Sequence, residues 1–369
     1  MNLMFLNSIA QDTYGGVESW MVRVAFEMSR RGHKVVAAGR RGSVFLDYMR
    51  HAGRPVETYD VNIGGDFNPF TIYSLSRIIK KNAVEFVFVS CNKDLRLGGL
   101  AARYSGTTKI VWRIGVDLTR NNWVHKKLTP ILLDGVIAPS SNLKEQITRY
   151  GYLNDDLVTV IPSATEAFTK RWEREKARRD LRNKYGLPQD SIVAVTSGRF
   201  VTEKGHHNLV AAALEMVKVR PEMFFLLLGN GPREPFLKKQ ISAIQLDKHF
   251  IFAGFLSDFE LELTGADLMI HPATDEAFGN ALLDGMQAAL PIIATRAGGI
   301  PEVVEDNRTA VLVPAGDAPG LARAVIELLG DRDKMRRMGE AGYRRWRDKY
   351  TMEIMINRLE KYLAELAVE

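Results

Sequence analysis

Cysteine is nearly absent from this 369-residue chain. Cys91 stands alone, which excludes an intramolecular disulfide and is compatible with a reducing compartment. Long apolar runs are missing too: even Met223-Phe-Phe-Leu-Leu-Leu228 stops at Gly229, far short of the ~20 residues that cross a bilayer. The N-terminal Met-Asn-Leu-Met-Phe-Leu-Asn lacks the basic n-region of a signal peptide and reads as a first strand, so a cytoplasmic location is expected. No His-x-x-x-His pair and no cysteine cluster offers a metal site. No Gly-x-Gly-x-x-Gly follows the first strand, which argues against a dinucleotide-dependent dehydrogenase. Short repeats and low-complexity segments do not occur.

What is present is enough apolar residue, 46%, for two cores, and a length that makes two domains the default. The net charge of +6 is unevenly spread: residues 1–170 carry 22 Lys and Arg against 15 Asp and Glu, and the remainder carries 28 against 29. In the first half Arg30, Arg31, Lys34, Arg40, Arg41, Lys80, Lys81, Lys126 and Lys127 read in one of two ways. They are solvated helix ends, or a basic face for peripheral contact with an anionic membrane surface or an anionic acceptor. Nucleic acid is not an expected partner, since these charges lack interleaved aromatics or a binding motif.

Short apolar runs alternate with amphipathic stretches, the pattern of parallel sheets covered by helices. Strands are predicted at 3–6, 35–38, 84–89, 110–114, 136–138 and 158–161, and again at 192–196, 224–228, 250–253, 268–270, 291–294 and 310–313. Val17, Trp20, Met21, Val24, Ala25 and Met28, spaced by threes and fours, predict an amphipathic helix closed at Gly32. The polar stretch 162–182 sets the junction near 163–170, hence domains over 1–165 and 166–351. Ile354, Met355, Leu359, Tyr362, Leu363 and Leu366 predict a helix within 352–369 that packs back on the first domain or stays with the second.

Chemistry concentrates in the second half. Gly198-Arg199-Phe-Val-Thr-Glu-Lys204-Gly205 follows a strand directly and puts a guanidinium and an ammonium on one loop, which suits a diphosphate. Glu276-Ala-Phe278-Gly279-Asn280 leads into a predicted helix that carries Asp284. If helical throughout, the eight steps between the two acids span roughly 12 Å, enough to reach both ends of a nucleoside diphosphate sugar. The amides of Phe278-Gly279-Asn280, at the positive end of the helix dipole, would meet phosphate. Gly229-Asn230-Gly231 would bring backbone near the nucleotide, and Phe255 either borders the base or joins the core. Tyr14-Gly15-Gly16-Val17-Glu18, after the first strand, would let backbone approach a phosphate or sugar. Ser140-Ser141 read as helix caps. The adjacent His206-His207 give no support for metal or triad chemistry.

These residues resemble the retaining glycosyltransferases of the GT-B fold, specifically glycosyltransferase family 4. The resemblance is close over 190–315, through Gly198-Arg199…Lys204-Gly205, Glu276-Ala-Phe-Gly279…Asp284 and Gly298-Gly299-Ile-Pro301-Glu302. It is weaker over 1–170, through Gly15-Gly16-Val17-Glu18 and Ala138-Pro-Ser140. It implies an α/β protein of two Rossmann-like doubly wound domains facing a cleft, the first for the acceptor and the second for the donor. Arg199 and Lys204 would bind the donor diphosphate, Glu276 the hydroxyls of the sugar, the backbone of Phe278, Gly279 and Asn280 the phosphate, and Asp284 the ribose. Gly15, Gly16, Gly198, Gly229, Gly231 and Phe255 would line the donor site.

Two departures stand out. Asp284 is one methylene shorter than the family's usual Glu. Trp112-Arg113-Ile114-Gly115 also stands where many members have a His-Gly pair, which makes Arg113 a candidate for a donor or acceptor phosphate and Asp117 for an acceptor hydroxyl. The expected activity is retaining transfer of a hexose, from a UDP-sugar in preference, to a glycan or lipid-linked acceptor, without metal or other cofactor, at the cytoplasmic side of the envelope. A nucleotide-sugar 2-epimerase, a sugar phosphorylase and a non-catalytic binding subunit are the alternatives.

Overall fold

The computed structural model describes residues 1–9, 15–51, 56–106, 108–170 and 172–368. It divides into two compact units, Met1–Ser163 with Met352–Glu369, and Ala164–Thr351.

The first unit holds seven strands: β1 (Asn2–Asn7), β2 (Lys34–Arg40), β3 (Glu57–Val61), β4 (Phe86–Val89), β5 (Lys109–Arg113), β6 (Gly135–Ala138) and β7 (Val158–Val160). They pair in the order β3-β2-β1-β4-β5-β6-β7, all parallel. Six coincide with predicted apolar runs. The seventh, β3, reads Glu-Thr-Tyr-Asp-Val and lies at the sheet edge, where Glu57 and Asp60 face water, so no apolar run announces it.

The reversal of strand order between β1 and β4 sorts the helices onto two faces. Pro69–Lys81, Asn92–Ser105 and Trp123–Leu132 lie side by side on one face. Gly16–Arg30 packs with Val44–His51 and the terminal helix Met352–Val368 on the other. Asn92–Ser105 fits between its neighbours because it lacks side chains where it is tightest. A Cβ at Gly98 would fall 2.9 Å from Leu6 Cδ2, and one at Gly99 2.9 Å from Leu132 Cβ. The terminal helix is tied down through Glu360, which accepts from Arg31 at 2.6 Å and meets His33 Nε2 at 2.8 Å.

The second unit holds β8 (Ile192–Ser197), β9 (Met223–Leu228), β10 (Phe250–Gly254), β11 (Leu268–His271), β12 (Ile292–Thr295) and β13 (Val311–Val313), paired in parallel in the order β10-β9-β8-β11-β12-β13. Both sheet faces are buried, which is why the strands read as unbroken apolar runs. Ile192 and Ala194 enter one core with Phe225, Leu227 and Ile270. Val193 and Val195 enter the other with Leu226, Met269 and Leu282. The helix Arg174–Tyr185 is pinned at Asp267, whose carboxylate accepts from Arg182 at 2.6 Å and from the Val193 N–H at 2.7 Å. Among the described residues no helix is long and apolar enough to cross a membrane.

Candidate active site

In the second unit the strand order reverses between β8 and β11. Chains leaving the carboxyl ends of these two strands diverge, and the gap they leave is where doubly wound sheets take ligands. Four loops frame it. The loop after β8 and the loop after β9 are bound to each other: the Gly198 N–H donates to Leu228 O at 2.9 Å and the Phe200 N–H to Asn230 O at 2.8 Å. Gly229 continues outward by donating to Gly254 O at 2.8 Å, and Gly231 lies flat on the Phe200 backbone.

Gly229 admits no side chain, since a Cβ there would sit 2.1 Å from Gly198 O, and two further glycines are as tightly held. Gly205 has φ +66° and a Cβ there would sit 1.9 Å from Pro272 O, so this residue alone permits the β8 loop to touch the β11 loop. Gly298 has φ +50° and its Cβ would sit 2.0 Å from Glu276 O, while the Gly299 N–H donates to that same oxygen at 2.8 Å. The β8, β11 and β12 loops thus converge on the segment holding Glu276.

At that convergence Lys204 Nζ, from the first loop, donates to Glu276 Oε2, from the second. His271, the last residue of β11, is buried and places Nε2 3.2 Å from the same oxygen. The Glu276 side chain is only 11% exposed. Burial by itself raises such a carboxyl, yet the His271 hydrogen bond and the Lys204 charge outweigh it and hold Glu276 down to about 2. It is therefore an ionised, acceptor-only group throughout the physiological range.

Glu276 is not helical. Gly279, at φ +104°, turns the chain, and the helix spans Asn280–Gln287, so the roughly 12 Å expected from eight helical steps does not describe the pair of acids. Only Asp284, half-buried, lies on the helix. No side chain caps this helix at Gly279; the Leu282 N–H donates to Gly279 O at 2.9 Å, and the amides before it face the end of the helix where an anion would sit. Asn280 Oδ1, at the first turn, is buried without a hydrogen-bond partner among the described residues. The Phe278 ring is in the core, 6.0 Å from Tyr350, which leaves only its backbone for a ligand. Arg199 is exposed and its guanidinium has no partner among the described residues. Phe255 is 66% exposed, so the alternative that it joins the core fails.

The candidates from the first half lie in the first unit. Gly15 caps the helix Gly16–Arg30, and its N–H donates to Glu18 Oε2 at 2.8 Å; Tyr14 lies outside the described residues. Arg113 is buried. Its Nη1 donates to Ile114 O, its Nη2 to Ser163 Oγ at 3.1 Å, and its guanidinium stacks 5.0 Å from the Trp20 ring. Burial, with Arg23 nearby, lowers it to about 9. Asp117 accepts from the Thr119 N–H at 2.8 Å and pairs with Arg149 at 2.7 Å, so both its oxygens are engaged by its own loop and neighbour.

His271 was not foreseen. Its only sequence signal is a polar residue closing the apolar run Leu-Met-Ile, before Pro272. His206 is buried with neither ring nitrogen hydrogen-bonded among the described residues, its ring edge-on to Phe200 at 5.0 Å. Burial, reinforced by His271 and Lys204, depresses it to about 3, so it packs as a neutral ring.

The chain is a glycosyltransferase of the GT-B fold. Residues 177–345 match the family Glycosyl transferases group 1, and residues 14–166 match Glycosyltransferase Family 4. It is 24% identical over 356 residues to the lipopolysaccharide core biosynthesis glycosyltransferase LpsE of Rhizobium meliloti, spanning 95% of this chain and 96% of that protein. It is 29% identical to N-acetyl-alpha-D-glucosaminyl L-malate synthase of Bacillus anthracis over 67% of this chain and 63% of that protein. Among solved structures, a glycosyltransferase from Rickettsia africae superposes with a TM-score of 0.87 at 23% identity, covering 99% of this chain and 98% of that one. Anabaena HepE in complex with UDP and glucose superposes with a TM-score of 0.84 at 19% identity, covering 99% of both chains. At these identities the structural matches establish the shared fold.

Proposed function

We propose that this enzyme transfers a hexose, with retention of anomeric configuration, from a nucleoside diphosphate sugar to a hydroxyl of a glycan or glycolipid in cell-envelope polysaccharide or lipopolysaccharide synthesis. The observation that carries the reading is the meeting of Lys204, Glu276 and His271 at the switch point of the second sheet. An ionised, buried carboxylate there accepts hydrogen bonds from sugar hydroxyls. The ammonium beside it, the free guanidinium of Arg199 and the amides at Gly279 and Asn280 oppose negative charge at the diphosphate. The bond from the anomeric carbon to the diphosphate breaks, the bond to the acceptor oxygen forms on the same face, and the acceptor proton passes to a leaving-phosphate oxygen. Because charge builds on that leaving group, fixed cations and amides stabilise the transition state more than the ground state. We assign the first unit to the acceptor and Asp284 to the ribose.

UDP-sugars are the first donors to test, because the Anabaena neighbour was crystallised with UDP. GDP-mannose is the second, because a similar mannosyltransferase of Corynebacterium glutamicum is named for it. Each donor is incubated with lipid-linked and free glycans in the presence of a chelator, and the product linkage is read by NMR. The reading expects a glycoside with the donor's anomeric configuration and undiminished turnover without divalent metal. An inverted product, strict metal dependence, or epimerised donor formed without acceptor would each overturn it.

A further inference from the structure

We infer that Tyr350 is a positioning residue for glycosyl transfer, one that sets the turn Phe278-Gly279-Asn280 against the donor phosphate and ties it to both places where the chain passes between the two units. Tyr350 closes the helix Arg332–Lys349 and is buried. Its ring meets the buried Phe278 ring edge-on, at 73° and 6.0 Å between centroids. Its hydroxyl donates to Glu302 O at 3.2 Å, in the short helix Ile300–Val303. One side chain thus grips two segments. The first is the turn whose amides the proposed mechanism uses, and the second begins at Gly298 and Gly299, which abut Glu276 O.

The turn needs such outside holds, because Gly279, at φ +104°, is conformationally permissive and has no side chain to anchor. Before it, Glu276 is fixed by Lys204, His271 and the Gly299 N–H. The next hold is the Phe278 ring, which shares one core cluster with Tyr350, Trp346 and Val303. A ring that shifts carries its own backbone N–H with it, and a preorganised site tolerates only roughly 0.5 Å of misplacement. The packing partner of Phe278 therefore bears on the geometry of amides it never touches.

Tyr350 also holds the passages. The chain enters the second unit after Ser163 and leaves it after Thr351. The Thr165 N–H donates to Tyr350 O at 3.2 Å, Trp346 Nε1 donates to Thr165 Oγ1 at 2.9 Å, and Thr165 pairs with Thr351 in an isolated parallel bridge. The entering and leaving segments are joined at the residue that holds the turn. A diphosphate that orders the turn tightens the hold on Phe278, on Tyr350 and so on the Thr165 amide; by reciprocity, loosening Tyr350 weakens the diphosphate.

The inference rests on the diphosphate reading of the second unit, and its test separates the two. Wild type, Tyr350→Leu, Phe278→Leu and Tyr350→Phe are titrated calorimetrically with UDP, GDP, ADP, CDP and dTDP. Amide exchange over residues 164–168 is followed by mass spectrometry with and without the diphosphate that binds. Loss of the aromatic pair in Tyr350→Leu or Phe278→Leu should weaken binding roughly two- to tenfold at unchanged stoichiometry. In wild type the diphosphate should slow exchange over 164–168 at least about threefold, and in these two variants the slowing should vanish. Tyr350→Phe is the conservative rescue, because it keeps the ring while Arg345 still donates to Glu302 O at 2.9 Å and to Val303 O at 2.7 Å. It should bind within about twofold of wild type and keep the exchange effect. Gly186→Ala, which loses stability at a helix end away from the turn, should change neither readout. Unchanged affinity and exchange in both leucine variants, a fall in stoichiometry alone, or losses matched by Gly186→Ala would overturn the assignment of Tyr350 and leave the diphosphate site standing. No diphosphate binding to the wild type would overturn the diphosphate reading itself, and this assignment with it.

Discussion

Replacing Glu276 by Gln removes one charge at nearly constant shape, and the site's electrostatics give the size of the effect. The carboxyl is held at about 2 against an ordinary 4.5. That displacement is worth about 3 kcal/mol in favour of the ionised form, at 1.36 kcal/mol for each pH unit. Gln resembles the protonated acid, so the variant forfeits up to that amount near neutrality. Water reaching Lys204, which is 28% exposed, makes the figure an upper bound.

The sign follows from linkage. A carboxyl depressed in the folded state stabilises fully above its unfolded value and loses that contribution as the pH falls through the folded one. The gap between wild type and Glu276→Gln is therefore complete above about pH 4.5 and closes toward about pH 2. Denaturant unfolding at several pH values measures it, with a loss of several degrees in melting temperature as a parallel readout. A variant as stable as wild type near neutrality, or a gap that does not shrink on acidification, would refute the claim that Glu276 is an ionised member of this cluster.

Gly205→Ala and Gly186→Ala form a matched pair. Both residues have φ near +65°, but a Cβ at Gly186 meets nothing within 4 Å whereas one at Gly205 meets Pro272 O at 1.9 Å. Gly186→Ala should cost about 1–2 kcal/mol in denaturant unfolding and Gly205→Ala clearly more, with lost activity; equal costs would contradict the loop packing. His206→Phe replaces a buried neutral ring by an apolar one. Its depressed pKa means wild type loses stability as the pH falls from 6.5 toward about 3, so the variant should gain relative stability over that window in thermal melts, and a constant difference would refute the burial argument. Arg199→Ala should leave stability unchanged, because the side chain is exposed and unpartnered, while transfer falls ~10²–10³-fold; a normal rate would remove it from the site.

The extent to which these features were legible in the sequence follows from their physics. Strands buried on both faces, such as Phe224 to Leu228, declare themselves as apolar runs, and the edge strand Glu57–Val61, wet on one side, does not. Glycine positions in the loops were visible, and the steric reason for Gly205 and Gly298 was not, because the atoms they avoid, Pro272 O and Glu276 O, lie on other loops. Lys204 and Glu276 each read from the sequence as ligand-binding groups. Their mutual ion pair, and His271 beneath it, arise from convergence of separate strands and leave no trace in spacing. The basic residues of the first half could be counted, but which of them a neighbouring carboxylate occupies is a property of packing.

The central claim, that cations and helix amides of the second unit hold a nucleoside diphosphate, is tested most directly by calorimetric titration of wild type, Arg199→Ala and Lys204→Ala with a panel of nucleoside diphosphates. One member should bind the wild type, and each substitution should weaken it at least about tenfold, the equivalent of one charge-assisted hydrogen bond. Affinity unchanged by both substitutions, or no binding of any nucleoside diphosphate to the wild type, would contradict the account.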